Sequence, residues 1–225
     1  MSFFELPPPP PEPEQHQQPE WIGPAENLLG APFPLAEVLA TTERVGIQVY
    51  AGLAYPNGFE FSLQLSWREE RRRHGNDPIH AWHEVRGGEI PDEVLRFGIE
   101  DAGGERATVF GRRPWEPGES PTGPVLMQRG GGGGMHRWDM RFWCWPLPPE
   151  GVFTFVVEWP AERIGLTRRE IDAAPIREAA SRAVELWPGS PRRGGGSLFA
   201  RSTYQTVTSG DGRARTPQSL RTRRR

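Results

Sequence analysis

Apolar and polar residues alternate through much of the middle of the chain. In residues 59–68 (FEFSLQLSWR) every second residue is apolar, and this alternation continues for ten positions. A period of two is typical of a strand with one buried face. Residues 45–53 (VGIQVYAGL) show the same period, with one side formed by Val45, Ile47, Val49, Ala51 and Leu53. Because the intervening YPNG at residues 55–58 favours a turn, we predict a β-hairpin.

The same period predicts further strands downstream. Residues 93–101 (EVLRFGIED) would form a second hairpin with residues 107–110, and residues 125–127 a short strand. Residues 135–145 place one apolar series on a single face: His136, Trp138, Met140, Phe142 and Cys144. Residues 152–159 (VFTFVVEW) predict another strand, which we expect to be the hairpin partner of residues 135–145.

One helix is predicted near the C-terminal end, at about residues 173–187. Asp172 suits the N-cap and Pro175 the first turn, and Pro188 follows the predicted end. Three- and four-residue spacing gives an apolar stripe of Ile176, Ala179, Ala180, Ala183, Val184 and Trp187. The fold class is therefore predicted to be mainly β: an antiparallel β-sandwich or a partly open barrel, with one C-terminal helix packed on it.

The amino-acid composition predicts a tail at each end of this domain. The chain has 25 Pro and 27 Gly, and residues 7–11 are a proline run that favours polyproline II, as a spacer or a docking ligand. We predict a proline-rich extended arm over residues 1–32, a single β-rich domain over residues 33–188 and a disordered Arg-rich tail over residues 189–225.

Charge is distributed unevenly along the chain. The net charge is −2, yet residues 192–225 contain nine arginines and one acid, so the remainder is acidic. The tail could neutralise nucleic-acid phosphates through Arg213, Arg215, Arg221, Arg223, Arg224 and Arg225. A nucleic-acid-associated protein is thus one alternative function. The other interpretation is a solvated tail, because all 27 basic residues are arginine and GC-rich codons favour arginine.

Metal and catalytic motifs give weaker signals. His80, His83 and Glu84 are suitable zinc ligands, and a metal-dependent hydrolase is a second alternative, but the HxxHE spacing matches neither HExxH nor HxxEH. The five glycines at residues 130–134 lead into a predicted strand with no lysine, which argues for a linker rather than a phosphate loop. Cys144 is expected to be buried and inert. The favoured interpretation is a non-enzyme, with no catalytic residue and no cofactor.

Binding is the favoured activity. Trp143 and Trp145 would share the less apolar face of the 135–145 strand with Arg141, where they could dock a partner. Exposed strand edges could also bind an unknown protein or a second copy. We therefore predict an intracellular protein-binding module. No apolar run is long enough for a membrane helix or signal peptide, so we expect a cytoplasmic protein with no membrane partner.

A resemblance agrees with this interpretation. Six strings in this order, WIGPAENLL, AYPNGFEFSL, LRFGIEDAGG, GPVLMQRGGGGG, FWCWPLPPEGVFTFVVEWP and IDAAPIREAASRAVELWP, cover about residues 20–188. In these strings the chain resembles a widespread group of uncharacterised proteins of high-GC Gram-positive bacteria. The resemblance implies a bacterial cytoplasmic setting and an independent domain. It assigns no activity, cofactor or site residue, because none is established for that group.

Overall fold

The computed structural model describes residues 19–70, 82, 85, 88–110 and 120–188. The strands are β1 (Leu28–Leu29), β2 (Ala31–Thr41), β3 (Val45–Tyr55), β4 (Gly58–Trp67), β5 (Arg96–Glu100), β6 (Arg106–Thr108), β7 (Val125–Gly133), β8 (Arg137–Trp145), β9 (Val152–Trp159), β10 (Ile164–Asp172) and β11 (Val184–Glu185). A 3₁₀ turn spans Pro160–Glu162, and helix α1 spans Ala174–Ser181. No helix in these ranges is long and apolar enough to cross a membrane. The predicted disordered tail, residues 189–225, lies outside the described residues.

The strands form two larger antiparallel sheets and one short ladder. The order in the five-stranded sheet is β2-β3-β4-β8-β7, and the order in the four-stranded sheet is β10-β9-β5-β6. β1 pairs with β11. One apolar core contains residues from both larger sheets and from α1, so the sheets pack as a sandwich with the helix covering part of it. This confirms the predicted mainly-β antiparallel fold with one helix.

Phenylalanine side chains fill the centre between the two sheets. The ring of Phe61 on β4 lies 5.6 Å from Phe142 on β8 and 5.1 Å from Phe155 on β9. Phe59 contacts Phe153 at 5.3 Å, again across the two sheets. The Phe61–Phe142 pair is stacked and the other two are edge-to-face, and pairs of both kinds contribute about 0.5–1.5 kcal/mol beyond the burial of their area. The alternation predicted for residues 59–68 and 152–159 therefore produces the two inner faces.

The hairpin predicted at residues 45–68 is present as β3 and β4, but β3 changes face at Ala51. Ala51 has a positive φ of 55°, and the pairing with β4 shifts between Tyr50 and Leu53. The extra residue of this β-bulge reverses the alternation. As a result Ala51 and Leu53 are exposed, whereas Gly52 and Ala54 are buried. The prediction that one face runs unbroken from Val45 to Leu53 is wrong.

Helix α1 is shorter than the predicted helix over residues 173–187, because the chain after Ser181 pairs elsewhere. Val184 and Glu185 form a ladder with β1, and the Leu186 N–H donates to the Asn27 carbonyl. Val184 and Trp187 are consequently exposed rather than part of an apolar stripe. The prediction that Asp172 is the N-cap is wrong, because Ala173 occupies that position and Asp172 ends β10. The Asp172 carboxylate accepts the Ala174 N–H at 2.9 Å from one position earlier.

Two further predictions from the sequence are wrong. The glycine run is not a linker, because residues 130–133 belong to β7 and pair with β8. β9 is not the partner of β8, since it pairs with β5 and β10 in the other sheet. Residues 146–151 therefore cross from one sheet to the other instead of forming a hairpin turn.

The predicted boundary between arm and domain at residue 32 also changes. Residues 19–29, which we call the N-terminal strap, lie against the five-stranded sheet. The Arg129 guanidinium donates to the Ile22 carbonyl at 2.7 Å, and the Asn57 amide donates to the Glu20 carbonyl at 3.1 Å. These contacts make the strap part of the domain, and the remaining predicted arm, residues 1–18, lies outside the described residues.

Opposite effects are expected from adjacent substitutions at the bulge. Ala51→Gly should raise the free energy of unfolding by about 1 kcal/mol, because glycine adopts a positive φ without a Cβ penalty. Gly52→Ala should lower it by about 1–3 kcal/mol, because the added Cβ would overlap the Phe33 ring. Denaturant unfolding of both variants checks this. The same sign for the two variants would contradict the bulge geometry.

Candidate functional site

The outer face of the five-stranded sheet carries polar and charged side chains from three neighbouring strands, β3, β4 and β8. Register places Tyr50 of β3 opposite Ser62 of β4, and Ser62 opposite Arg141 of β8. Two pairs further along, on the same face, Gln64 of β4 lies opposite Asp139 of β8. These side chains point away from the core because their neighbours along each strand fill it. We call this surface the outer face.

Trp143 lies on the outer face, as predicted, but it is completely buried. Its exposed fraction is 0%, and its ring contacts Tyr55 at 5.8 Å. Gly58 leaves the space that the indole occupies, since a Cβ there would lie 2.8 Å from the Trp143 ring. The prediction that Trp143 docks a partner is therefore wrong in this structure. The side chain instead forms a second, smaller core beneath the N-terminal strap.

Trp145 and Arg141 keep part of their surface open. Trp145 is half-buried, and its ring packs edge-to-face against Trp21 of the strap at 6.2 Å. Arg141 is exposed. Of the three residues predicted to bind a partner, Arg141 is the most accessible, and Trp145 offers only the part that the strap leaves uncovered.

A half-buried acid lies beside Arg141. Glu60 on β4 accepts a hydrogen bond from the Tyr55 hydroxyl and lies near the charges of Arg141 and Arg129. Burial raises the pKa of Glu60, although the two arginines and the hydrogen bond oppose this effect. Burial, reinforced by Glu60, also raises the pKa of Tyr55 to about 12. The Tyr55 hydroxyl therefore stays protonated and acts as a donor at neutral pH.

A second polar group joins β3 to β8. The Tyr50 hydroxyl donates to Asp139 Oδ1 at 2.7 Å, and the Arg137 guanidinium donates to both Asp139 oxygens at 2.7 and 2.9 Å. The hydrogen bond from Arg137 lowers the pKa of Asp139, and the one from Tyr50 lowers it further. Asp139 is thus a fixed carboxylate whose donors hold it in place. The arrangement places one positive and one negative charge on the outer face.

The free edge of the sheet runs along β7, next to this polar group. The Gly134 N–H donates to the Arg137 carbonyl at 2.8 Å, so these two residues are a hydrogen-bonded pair of β7 and β8. Since hydrogen-bonded pairs alternate in antiparallel sheets, Gly132 and Gly130 pair with β8. The backbone groups of Gly131 and Gly133 then point outward, and no other described strand pairs with them.

The remaining predicted site residues cannot be placed. His80, His83 and Glu84, the weak metal candidates, lie outside the described residues, as do Arg213, Arg215, Arg221, Arg223, Arg224 and Arg225 of the tail. Within the described ranges no group of three or more metal-ligating side chains comes together. Cys144 is buried, and this burial raises the pKa of its thiol, as expected for an unreactive cysteine.

Sequence reasoning did not identify Tyr50, Asp139 or Glu60 as site residues. Each was one polar residue in an alternating strand, and only the register between strands brings them together. An acid enclosed by aromatic residues on a strand, as Glu60 is between Phe59 and Phe61, was the signal available in the sequence. Comparison of the chain with protein-family models, curated proteins and solved structures finds no match in any of the three.

The raised pKa of Glu60 predicts a pH-dependent stability. The folded state holds the proton more tightly than the unfolded state, so stability should fall as pH rises above the ordinary glutamate value. Glu60→Gln removes this loss of stability at high pH, because glutamine does not ionise, and it keeps an oxygen that accepts the hydrogen bond from Tyr55. We expect the variant to be more stable than the parent at neutral pH and to lose that advantage near pH 4.

Denaturant unfolding between about pH 4 and pH 8 measures this difference. The exposed Glu150→Gln variant is the matched control for the loss of one negative charge. A Glu60→Gln difference that is constant with pH would show that Glu60 has no raised pKa in the folded protein.

Proposed function

We propose that this protein is an interaction module that binds an extended polypeptide segment as an additional strand along β7. The observation that carries the proposal is the bare edge at Gly130–Gly133, where outward backbone groups are accompanied by no side chain. Unpaired edge groups are a template for pairing with another chain. Strand addition uses such edges, with main-chain hydrogen bonds providing the affinity.

The other sheet edges are less suited to strand addition. β2 contains Pro32 and Pro34, which lack an N–H, and Glu37 on β2 pairs with Arg169 on β10. β6 has only three residues, and β10 carries the consecutive charged residues Arg168, Arg169 and Glu170. Charged residues and prolines are the usual protection of an edge strand, and the glycine part of β7 has neither.

Neighbouring side chains favour an acidic segment. Arg141 lies opposite Gly130, and the glycine leaves the space above it open. A side chain of the added strand can therefore reach across β7 to the Arg141 guanidinium. An aspartate or glutamate there would form a charge-assisted hydrogen bond.

The test uses peptides selected from a displayed random library on the immobilised full chain. Gly132→Glu places a protective charge on the β7 edge, where a Cβ meets no atom within 4 Å, and this charge repels an acidic segment. We expect it to weaken the binding of the selected peptides at least tenfold. Gly165→Glu is the matched control, since it puts the same charge on β10, another edge strand with equally open space.

Amide hydrogen exchange gives a second, independent measurement. Peptide binding should protect the Gly131 and Gly133 amides but not the Gly165 amide. A concentration-dependent dimer abolished by Gly132→Glu would identify a second copy as the added strand. Peptides that bind Gly132→Glu and the parent equally, with no protection at Gly131, would rule the proposal out.

A further inference from the structure

A small cavity opens on the outward side of the other, four-stranded sheet. Its volume is about 260 Å³, and apolar side chains provide most of its lining. Pockets for small molecules usually enclose about 300–1,000 Å³, so this one suits a ligand at the small end of that range. It lies on the opposite sheet from β7, and its test is independent of strand addition.

Small residues on three neighbouring strands make the floor of the cavity. Gly98 of β5 lies between Thr108 of β6 and Val156 of β9 in register. Phe110 and Leu166 provide walls. Leu166 is 67% exposed, so this wall offers an apolar surface that the described residues leave uncovered. A hydrocarbon or ring laid on Gly98 would remove this surface from water.

One end of the cavity carries an excess of positive charge. The Glu100 carboxylate accepts hydrogen bonds from both Arg106 and Arg168, one at each oxygen. The two guanidinium groups remain partly exposed, with 71% and 41% of their side-chain surface open to solvent. Each guanidinium has five N–H donors, so one contact to Glu100 leaves donors for an incoming anion. Two cations against one anion make this end attract a negative group.

The other end of the cavity carries an excess of negative charge. Arg96 donates to Glu158 at 2.7 Å and to Asp92 at 3.4 Å, so one cation faces two acids. A second anionic group on the ligand would be repelled there. The charge pattern therefore selects a ligand with a single anionic group and fixes which way it lies.

We propose that this cavity binds a small amphiphilic carboxylate, with its apolar body on Gly98 between Phe110 and Leu166 and its carboxylate on Arg106 and Arg168. Planar guanidinium groups match the geometry of a carboxylate and bind it through paired hydrogen bonds. The same chemistry is offered by a free carboxylic acid and by the C-terminus of a polypeptide that ends in an apolar residue.

The experiment titrates the full chain with octanoate while backbone amides are followed by NMR. Octanoate should shift the amide resonances of Gly98, Thr108 and Val156. It should bind at least fivefold more tightly than 1-octanol. Octylamine should bind least, because its charge meets the two arginines. An acetylated peptide with the sequence Gly-Gly-Gly-Leu and a free C-terminus tests the second source.

Two adjacent arginines on β10 supply the matched variants. Arg168→Gln should weaken the binding of octanoate about five- to tenfold, as expected for the loss of a charge-assisted hydrogen bond. The binding of 1-octanol should not change. Arg169→Gln removes the same charge one residue away, where the side chain pairs with Glu37 instead. It should leave the binding of both ligands unchanged. Leu166→Asn should weaken both ligands, because it replaces part of the apolar wall.

The relative affinities of octanoate and the peptide distinguish the two ligand sources. Tighter binding of octanoate supports a free carboxylic acid as the ligand, and tighter binding of the peptide supports a polypeptide C-terminus. No shift at Gly98 and Thr108 with either probe would overturn the proposal. Equal binding of octanoate and 1-octanol, unaffected by Arg168→Gln, would overturn the assignment of the carboxylate.

Discussion

The contact between the two sheets through phenylalanine rings is the constraint on which the structure depends. Phe61 contacts rings on β8 of its own sheet and on β9 of the opposite sheet, so it fixes their separation. Because the inner faces are filled in this way, every polar residue of the alternating strands must lie on an outer face. The outer face of the five-stranded sheet and the cavity on the four-stranded sheet are both consequences of that division.

The strands that sequence predicted well are those whose two faces differ along their whole length. β4 alternates between apolar and polar residues from Phe59 to Trp67, and the inner residues Phe153, Phe155, Val157 and Trp159 of β9 are all buried. β2 and β10 were not predicted, since each lies at an edge where polar and apolar residues mix. The end of α1 was not predictable either, because Val184 has the spacing of a helix but pairs with a strand distant in sequence.

The outer face shows why a site spread over several strands resists prediction. Tyr50 and Asp139 are 89 residues apart, and only the order β3-β4-β8 brings them together. Alternation correctly placed Trp143 opposite the main core, but it carries no information about the strap that covers this position. Exposure therefore depends on tertiary contacts from residues 19–29, whereas the choice of face depends on local sequence alone.

The bulge at Ala51 makes β3 a strand with two phases. Up to Val49 the odd-numbered residues face the core, and after the bulge the even-numbered ones do. Deletion of Ala51 would remove the extra residue and leave the buried residues of both halves on the core face, whereas deletion of a residue elsewhere in β3 would turn part of the strand inside out. The domain should therefore tolerate the loss of Ala51 more readily than any other change in the length of β3, and a sequence pattern written for this strand needs a one-residue shift at this position.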